Sequence, residues 1–533
     1  MQGADKLSAN RRDVLRYSGG VAGASGLLAM AGCLGDDDDG EELTITLSQF
    51  PDVIDPLDHI TGDYFDVYDH IYEPLFDFEP GEGIFPRVAE DWEIQEGEGR
   101  TLVEIRDDVV FHNGDDLTAE DIAWTINRTV DDDMGVASPI GAFGLGSIEG
   151  AEAVDETTVA IDYGAAPGLA EFEFGNYARA INMDWAIDNH DAENEAISGA
   201  DPEDFNGTGP YEVVEFTSGE EIVLEAFDDY WGEEPPFERV TFNADGESSG
   251  RVNALETGEA DVTINILPAD VDSVNQADDV EIRQVTSFRN IFMPMKNTVE
   301  PFDSEEFRQA MNYAVDNEEI VSTVLDGFGE ARGQPVAPGI NGFNEDVSPY
   351  DHDPEMAEEL VEEAGYTEDD PAEIELTCPQ GRYLNDAEVG ETAADMIDQL
   401  PNVECSANIV EFPVVSDANS AGVDPDEIEH PFYLIGWGTI TGDTDYGVQG
   451  FFTIPDNPSR TFDDEELSDE ILESQQIEDP DERREQLEYV NELAHEKAPF
   501  VFLHTQESIY GVKDSISWDP REDETIYIWE MEP

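Results

Sequence analysis

Basic residues are scarce in this sequence. Its 533 residues include 23 Lys plus Arg against 129 Asp plus Glu, which gives a formal net charge of −106. Phosphate backbones and anionic lipid headgroups repel such a polyanion, so the composition argues against a nucleic acid as partner. The acids are spread along the whole chain, and only four residues are lysines. This pattern predicts a halophilic protein whose carboxylates keep its surface hydrated in concentrated salt.

Cysteine is equally rare, with three residues in the chain. Cys33 lies near the N-terminus, whereas Cys378 and Cys405 flank a predicted helix. An oxidising compartment permits a disulfide between the latter two, but their spacing does not establish the geometry that the bond requires. The sequence leaves this pairing open.

Motifs of two common catalytic sites are missing. The eight histidines include no pair four residues apart with an intervening Glu, and no Gly precedes any lysine, so neither a zincin motif nor a phosphate-binding Gly-Lys-Ser/Thr loop is present. We therefore expect no enzyme, no metal site and no other cofactor. A secreted acidic hydrolase, such as a paired-carboxylate glycosidase, is the alternative, because the separation of two acids in space defines that chemistry.

The N-terminal segment has the features of an export and anchoring signal. Arg11 and Arg12 precede a mildly apolar stretch at residues 17–31 and resemble a twin-arginine export signal. The Ala-Gly dipeptide before Cys33 resembles a lipobox, with Cys33 as the lipid-carrying residue; an uncleaved anchor helix is the alternative. No other stretch reaches the roughly 18 apolar residues of a membrane span. We expect an extracytoplasmic protein at the cell surface, anchored to the membrane by lipid.

Strand and helix patterns alternate along the rest of the chain. The predicted strands are 43–47, 222–226, 261–264, 374–377, 403–410, 432–435 and 500–503. The predicted helices are 119–130, 251–257, 387–400, one from Pro480 to Pro499, one capped by Asp353, and two between 303 and 326. Asp303 and Glu306 are spaced as a capping box for the first of these two. The alternation predicts parallel α/β sheets.

Seven ordered segments resemble one protein family. They are residues 86–93, 110–121, 207–211, 229–231, 255–261, 308–316 and 363–366, which include the Gly-Thr-Gly-Pro-Tyr turn at 207–211. Together they resemble the extracytoplasmic solute-binding proteins of family 5, here of a haloarchaeal type, which serve ABC importers of dipeptides, oligopeptides and nickel complexes. The resemblance covers nearly the whole chain after the signal.

The resemblance implies an α/β fold of the periplasmic-binding-protein type II, with two lobes joined by a hinge and an accessory lobe. It divides the chain into a signal (1–32), an acidic tether (33–42), lobe I (43–62, 205–285 and 500–533), lobe II (63–204) and lobe III (286–499). It also implies that a monomer captures a small peptide-like or other organic solute by hinge closure and delivers it to the permease subunits.

The resemblance places one candidate ligand residue at a strand end. Trp437 lies between two glycines, where its ring has room to stack on a ligand; the alternative is a tryptophan of the core. In peptide-binding members, an Asp three residues after this Trp holds the ligand's amino group, whereas this chain has Ile440. The usual recognition of an α-amine is therefore not expected, unless Asp443 or Asp445 replaces that Asp.

Arg382 and Tyr383 follow another strand end, where dipeptide-binding members use an Arg to hold a carboxylate. A guanidinium can form bidentate, charge-assisted hydrogen bonds with such a group. A surface arginine that neutralises neighbouring acids is the alternative. Phe50, Tyr64 and Asn290 complete the predicted set, because they lie after strand ends or in loops where the first and third lobes face each other.

Overall fold

The computed structural model describes residues 41–50, 54–58, 64–79, 83–95, 99–130, 148–163, 179–192, 195–453, 460–477 and 479–533. All of them belong to one structural unit. The predicted signal, with Arg11, Arg12 and Cys33, lies outside the described residues.

The strands of the described part are numbered in chain order. They are β1 (Glu42–Leu47), β2 (Phe76–Glu79), β3 (Gly83–Pro86), β4 (Ala89–Gln95), β5 (Arg100–Ile105), β6 (Gly150–Ala153), β7 (Thr158–Asp162), β8 (Tyr211–Thr217), β9 (Glu221–Ala226), β10 (Arg239–Ala244), β11 (Val262–Thr263), β12 (Val280–Pro294), β13 (Gly329–Ala331), β14 (Ala372–Pro379), β15 (Val403–Val410), β16 (Ile435–Gly438) and β17 (Phe500–Lys513).

The described α-helices connect these strands. They are Phe65–Tyr68, Ala119–Val130, Met183–His190, Ser248–Thr257, Pro268–Val274, Glu305–Ala314, Asn317–Thr323, Pro354–Glu363, Asp386–Asp398, Phe412–Ser420, Thr444–Phe452, Glu465–Gln475 and Pro480–Lys497, and two short 3-10 helices lie at Pro202–Asp204 and Ile528–Glu530. Each helix predicted from the sequence is present, with ends that differ by a few residues.

One large sheet carries most of the strands. Its order is β16-β12-β17-β11-β1-β10-β9-β8, and β13 pairs with β17. β1 runs parallel to β10 and β11, whereas β12 runs antiparallel to both β16 and β17. Within this sheet, the prediction of parallel strands is therefore confirmed only for the pairs of β1 with β10 and β11, because the sheet is mixed. β17 also extends ten residues beyond the predicted end at Leu503, to Lys513.

Two smaller sheets build the flanking cores. β4-β5-β7-β6 form an antiparallel sheet, and the helix Ala119–Val130 packs its apolar side on it around Ile122, Val103 and Val159. β14 and β15 pair in parallel, and the helix Asp386–Asp398 joins them. This strand-helix-strand unit confirms the prediction for residues 374–410. The strand predicted at 432–435 begins later, at Ile435, because Phe432 and Tyr433 form only isolated bridges.

Local signals account for several helix ends. The carboxylate of Asp353 accepts a hydrogen bond from the backbone N–H of Met356 at 3.0 Å and caps its helix as predicted. The predicted capping box of Asp303 is wrong by one residue, since the Oγ of Ser304 accepts from the N–H of Phe307. The helix begins at Glu305, which places Phe307 at the third position that a capping side chain reaches.

The register of β14 and β15 decides the open question of the disulfide. Cys378 lies opposite Ile409, and Cys405 lies opposite Ile374. Four residues of register separate the two thiols, or about 13 Å of strand, whereas a disulfide needs Cα atoms within about 7 Å. Both cysteines are free. Among the described residues, no helix is both long and apolar enough to cross a membrane.

Candidate functional site

A cleft of about 620 Å³, part of which is open to solvent, lies beside the large sheet. Its walls come from segments assigned above to all three lobes. They are Phe65, Asp66, Ile264, Asn265, Arg289, Arg382, Tyr383, Ile440, Gln506, Ser508, Tyr510, Asp523, Glu524 and Thr525. Polar and charged side chains dominate this lining, which suits a polar guest molecule.

Arg382 and Tyr383, both predicted from the sequence, lie together in this cleft. They follow β14 on a turn in which Gly381 has φ +79°, a backbone conformation that favours glycine. The hydroxyl of Tyr383 donates to the carbonyl oxygen of Gly436 at 3.2 Å. The guanidinium of Arg382 lies 5.4 Å from the ring centroid of Phe412, within cation–π distance. The turn therefore presents one cation and one phenol ring to the cleft.

Glu524 is another charged group of the lining. Its Oε2 accepts from the Nε and Nη2 of Arg289 at 2.8 and 2.5 Å, and its Oε1 accepts from Gln506 and Ser508 at 3.1 and 2.8 Å. Burial alone raises the pKa of this carboxyl, but Arg289 and the hydrogen bonds from Ser508 and Ser287 outweigh it and bring the pKa below its ordinary value. Glu524 is thus a fixed carboxylate.

Two further carboxylates stand near Glu524. The Oδ2 of Asp523 forms an ion pair with Nη2 of Arg521 at 2.7 Å, and burial nevertheless raises its pKa above the ordinary value. The Oδ1 of Asp66 accepts from the backbone N–H of Ile526 at 3.0 Å. The C-terminal segment therefore brings two acids to the cleft, and the helix Phe65–Tyr68 adds Asp66.

Trp437 and Asn290 do not line this cleft. The Nε1 of Trp437 donates to the carbonyl oxygen of Tyr446 at 3.2 Å, and its ring packs edge-on against Phe451 with centroids 5.0 Å apart. Asn290 donates to the carbonyl oxygen of Gln334 and accepts from the hydroxyl of Thr505. The two residues face each other in the register of β12 and β16, within the large sheet.

Asp443 and Asp445 lie in a buried polar network outside the cleft lining. Two nitrogens of Arg483 donate to the two oxygens of Asp443 at 2.6 and 2.7 Å. The Oδ1 of Asp445 accepts from the side-chain amide of Gln475 at 3.0 Å. Burial raises the pKa of Asp445 to about 7, with Arg483 opposing the shift and the charge of Asp443 adding to it. Both carboxylates are engaged with residues of the fold.

Phe50 and Tyr64 are half-buried and pack against the core around β1. Tyr64 directly precedes the cleft residues Phe65 and Asp66, and its ring contacts Tyr68 edge-on at 5.6 Å. Neither Phe50 nor Tyr64 lines the cleft itself.

Sequence reasoning missed the contribution of β17. Gln506, Ser508 and Tyr510 all line the cleft, and they alternate along the strand with residues that point to its other face. This alternation with a period of two is the sequence signal that could have predicted these cleft residues. It was missed because the strand was predicted to end at Leu503.

A Gly-x-Ser-x-Gly sequence at Gly246–Gly250 follows β10 and leads into a helix, as a hydrolase elbow does. The hydroxyl of Ser248, however, lies 3.3 Å from the carboxylate of Asp270, where a nucleophilic serine needs a histidine base. Within the described ranges, no three His, Cys, Asp or Glu side chains are grouped to hold a metal ion.

Comparisons with known proteins agree with this geometry. Residues 83–459 match the family model described as bacterial extracellular solute-binding proteins, family 5 Middle. The dipeptide-binding protein of Escherichia coli is 26% identical over 402 residues, which cover 70% of this chain and 71% of that protein. The dipeptide-binding protein of Pseudomonas aeruginosa is 24% identical over 507 residues, or 87% of this chain and 91% of that protein.

Solved structures show the same fold. The periplasmic binding protein DppA of Helicobacter pylori, in complex with the peptide STSA, has a TM-score of 0.81 at 19% identity and covers 92% of this chain and 98% of its own. NikA of Staphylococcus aureus, in complex with Ni(L-His)2, has a TM-score of 0.78 at 18% identity and covers 92% and 99%. The fold is α/β, of the periplasmic-binding-protein type II.

Proposed function

Because the chain belongs to the bacterial extracellular solute-binding proteins of family 5, we propose that it is the substrate-binding component of an ABC importer. It captures a small solute outside the cell and delivers it to the permease subunits. Its relatives are solute-binding proteins, so the chain is not an enzyme and the glycosidase alternative is set aside. Nucleic acid has no part in this function, and a monomer suffices for it.

The observation that carries the proposal is the charge arrangement of the cleft. Arg382 stands on a turn after β14, and the carboxylates of Asp66 and Glu524 come from separate segments. A peptide-like or other organic solute with both an anionic and a cationic group can be matched on both sides of such a cleft. Ile440 also lines it and offers the guest an apolar contact.

Capture works by closure of the lobes about a hinge. The cleft draws its lining from the segments 205–285 and 500–533 of lobe I, from 286–499 of lobe III and from Phe65 and Asp66 of lobe II, which supports this mode of binding. A solute that contacts both sides favours the closed state, because only that state makes both sets of contacts. Small-angle scattering with and without solute measures the closure.

The proposed location of the protein is the cell surface. The paired Arg11 and Arg12 and the lipobox at Cys33 support export by the twin-arginine route and attachment by lipid. Mass spectrometry of the mature N-terminus tests both, since a lipid-bearing Cys33 has a mass that neither the uncleaved chain nor an unmodified cysteine gives.

Binding is tested on the chain without its signal, in molar KCl, by thermal shift and titration calorimetry. The probes are the dipeptide Met-Leu, the tetrapeptide STSA and Ni(L-His)2, which solved relatives hold. We expect a peptide probe to raise the melting temperature, since a ligand at about 100 Kd stabilises the folded state by about 2.7 kcal/mol.

Two variants make this test specific. Arg382→Ala is expected to weaken binding of the peptide at least tenfold, whereas Asp395→Asn, an exposed change on the neighbouring helix, leaves the affinity unchanged. If no probe binds, and native mass spectrometry of protein from its own cells finds no retained solute, the proposal is wrong.

A further inference from the structure

We propose that Asp386 is a positioning residue of the binding site: its carboxylate holds the turn 381–383 in the conformation that presents Arg382 and Tyr383 to the cleft. The inference rests on the proposed function, because it names a residue that acts on the solute through its neighbours. Asp386 itself does not line the cleft.

The geometry is that of one carboxylate surrounded by backbone donors. Oδ2 accepts from the N–H of Arg382 at 2.8 Å and from the N–H of Tyr383 at 3.0 Å. Oδ1 accepts from the N–H of Gly381 and of Ala387, both at 2.9 Å. Three consecutive N–H groups of the turn thus converge on a single side chain, and an ionised carboxylate has acceptor sites for all of them.

The surroundings make these hydrogen bonds decisive for the turn. Asp386 is 4% exposed, so water does not replace a lost bond. Gly381 adopts φ +79°, which leaves the chain free to take this path but does not impose it. The helix Asp386–Asp398 begins at this residue; burial raises the pKa of the carboxyl above its ordinary value, and the four backbone hydrogen bonds oppose that shift.

The hydrogen bonds of Tyr383 and Leu384 to other parts of the fold are longer. The hydroxyl of Tyr383 has a bond to Gly436 at 3.2 Å, and the N–H of Leu384 reaches the side chain of Gln506 at 3.5 Å. Both donor–acceptor distances are at the long end of the range for hydrogen bonds. Without the carboxylate, the backbone N–H groups of Arg382 and Tyr383 are buried donors without this acceptor, and the turn rearranges to hydrate them.

Hydrogen exchange of the protein without added solute, in molar KCl, tests the turn whatever the identity of the solute. In Asp386→Ala, the amides of residues 381–383 are expected to exchange at least tenfold faster than in the wild type. Asp386→Asn gives a smaller increase, because its amide has one oxygen acceptor in place of two. The control Asp395→Asn, exposed on the same helix, leaves this exchange unchanged.

Affinity measurements distinguish a positioning role of Asp386 from a general effect of the substitution on stability. With Met-Leu and STSA as probes, Asp386→Ala is expected to weaken binding roughly 10- to 100-fold, where each tenfold corresponds to about 1.4 kcal/mol. In an Arg382→Ala background the same substitution weakens binding by a smaller factor, because one of the two residues through which Asp386 acts is gone. A loss due only to instability is the same in both backgrounds.

The outcomes are distinct. Unchanged exchange at residues 381–383 in Asp386→Ala overturns the positioning role, whatever the solute. Faster exchange with unchanged peptide affinity also overturns it, since the turn then does not serve binding. If the wild type binds neither peptide, the peptide part of the proposed function fails, and the exchange data alone decide whether Asp386 orders the turn.

Discussion

At the scale of single residues, this chain places many of its few cations inside the fold. The ion pair of Arg128 and Asp55 is completely buried, and the pair of Arg483 and Asp443 is nearly so. Arg87 pairs with Glu73, which also accepts from the indole N–H of Trp231. Such pairs cost desolvation, and they are stable only because each charge finds a partner with several hydrogen bonds.

The pair of Asp443 and Arg483 yields a clear prediction. Asp443→Ala leaves the guanidinium of Arg483, which is 4% exposed, without its carboxylate. We expect the free energy of unfolding to fall by about 3–5 kcal/mol. Urea denaturation at constant molar KCl measures it, and the affinity for a bound peptide stays as in the wild type.

The matched control removes both charges. Asp443→Leu combined with Arg483→Met removes both members of the ion pair, so it is expected to be less destabilising than Asp443→Ala alone. A large loss of affinity in a folded Asp443→Ala protein would show instead that Asp443 contacts the solute, as the sequence suggested.

At the scale of elements, every helix and strand that the sequence predicted has a counterpart in the structure, but ten described strands, among them β12, and six described α-helices, among them Thr444–Phe452, were not predicted. Ile440 was named only as the residue that replaces an Asp of peptide-binding members, whereas Arg382 and Tyr383 were predicted to contact the ligand because they follow a strand end. Glu524 and Asp66 were not, because no local pattern reveals which distant segment an acid will face among 129 acids. Sheet partners are likewise set by long-range pairing, which periodicity does not encode.

The register of β14 and β15 leads to a prediction about thiols. Since Cys378 and Cys405 are offset by four residues, both remain reduced even after export to an oxidising compartment. In a Cys33→Ala chain unfolded in urea without reductant, a thiol reagent is expected to modify both cysteines. The folded protein reacts more slowly, because Cys378 is buried and burial raises the pKa of Cys405 to about 12. Failure of both thiols to react in urea would show that they are joined.

At the scale of the whole molecule, charge determines the conditions in which the fold persists. In a chain with a net charge of −106, the carboxylates repel one another over about 10 Å in 0.1 M salt but over only about 3 Å in 1 M salt. We expect cooperative unfolding in molar KCl and its loss on dialysis into dilute buffer, as followed by circular dichroism. Sucrose, which does not screen charge, serves as the control and is expected not to rescue the fold. Equal stability in dilute buffer would contradict the halophilic interpretation.

The position of β17 has a consequence for how the molecule is made. This strand lies between β12 and β11 in the large sheet, yet it is the last strand to leave the ribosome. At about 5–20 residues per second, the nascent chain waits on the order of ten to fifty seconds between β11 and β17. Throughout that interval β11 has an open edge on which other half-made chains can pair. The carboxylates of every such chain keep it hydrated and soluble until the missing strand arrives.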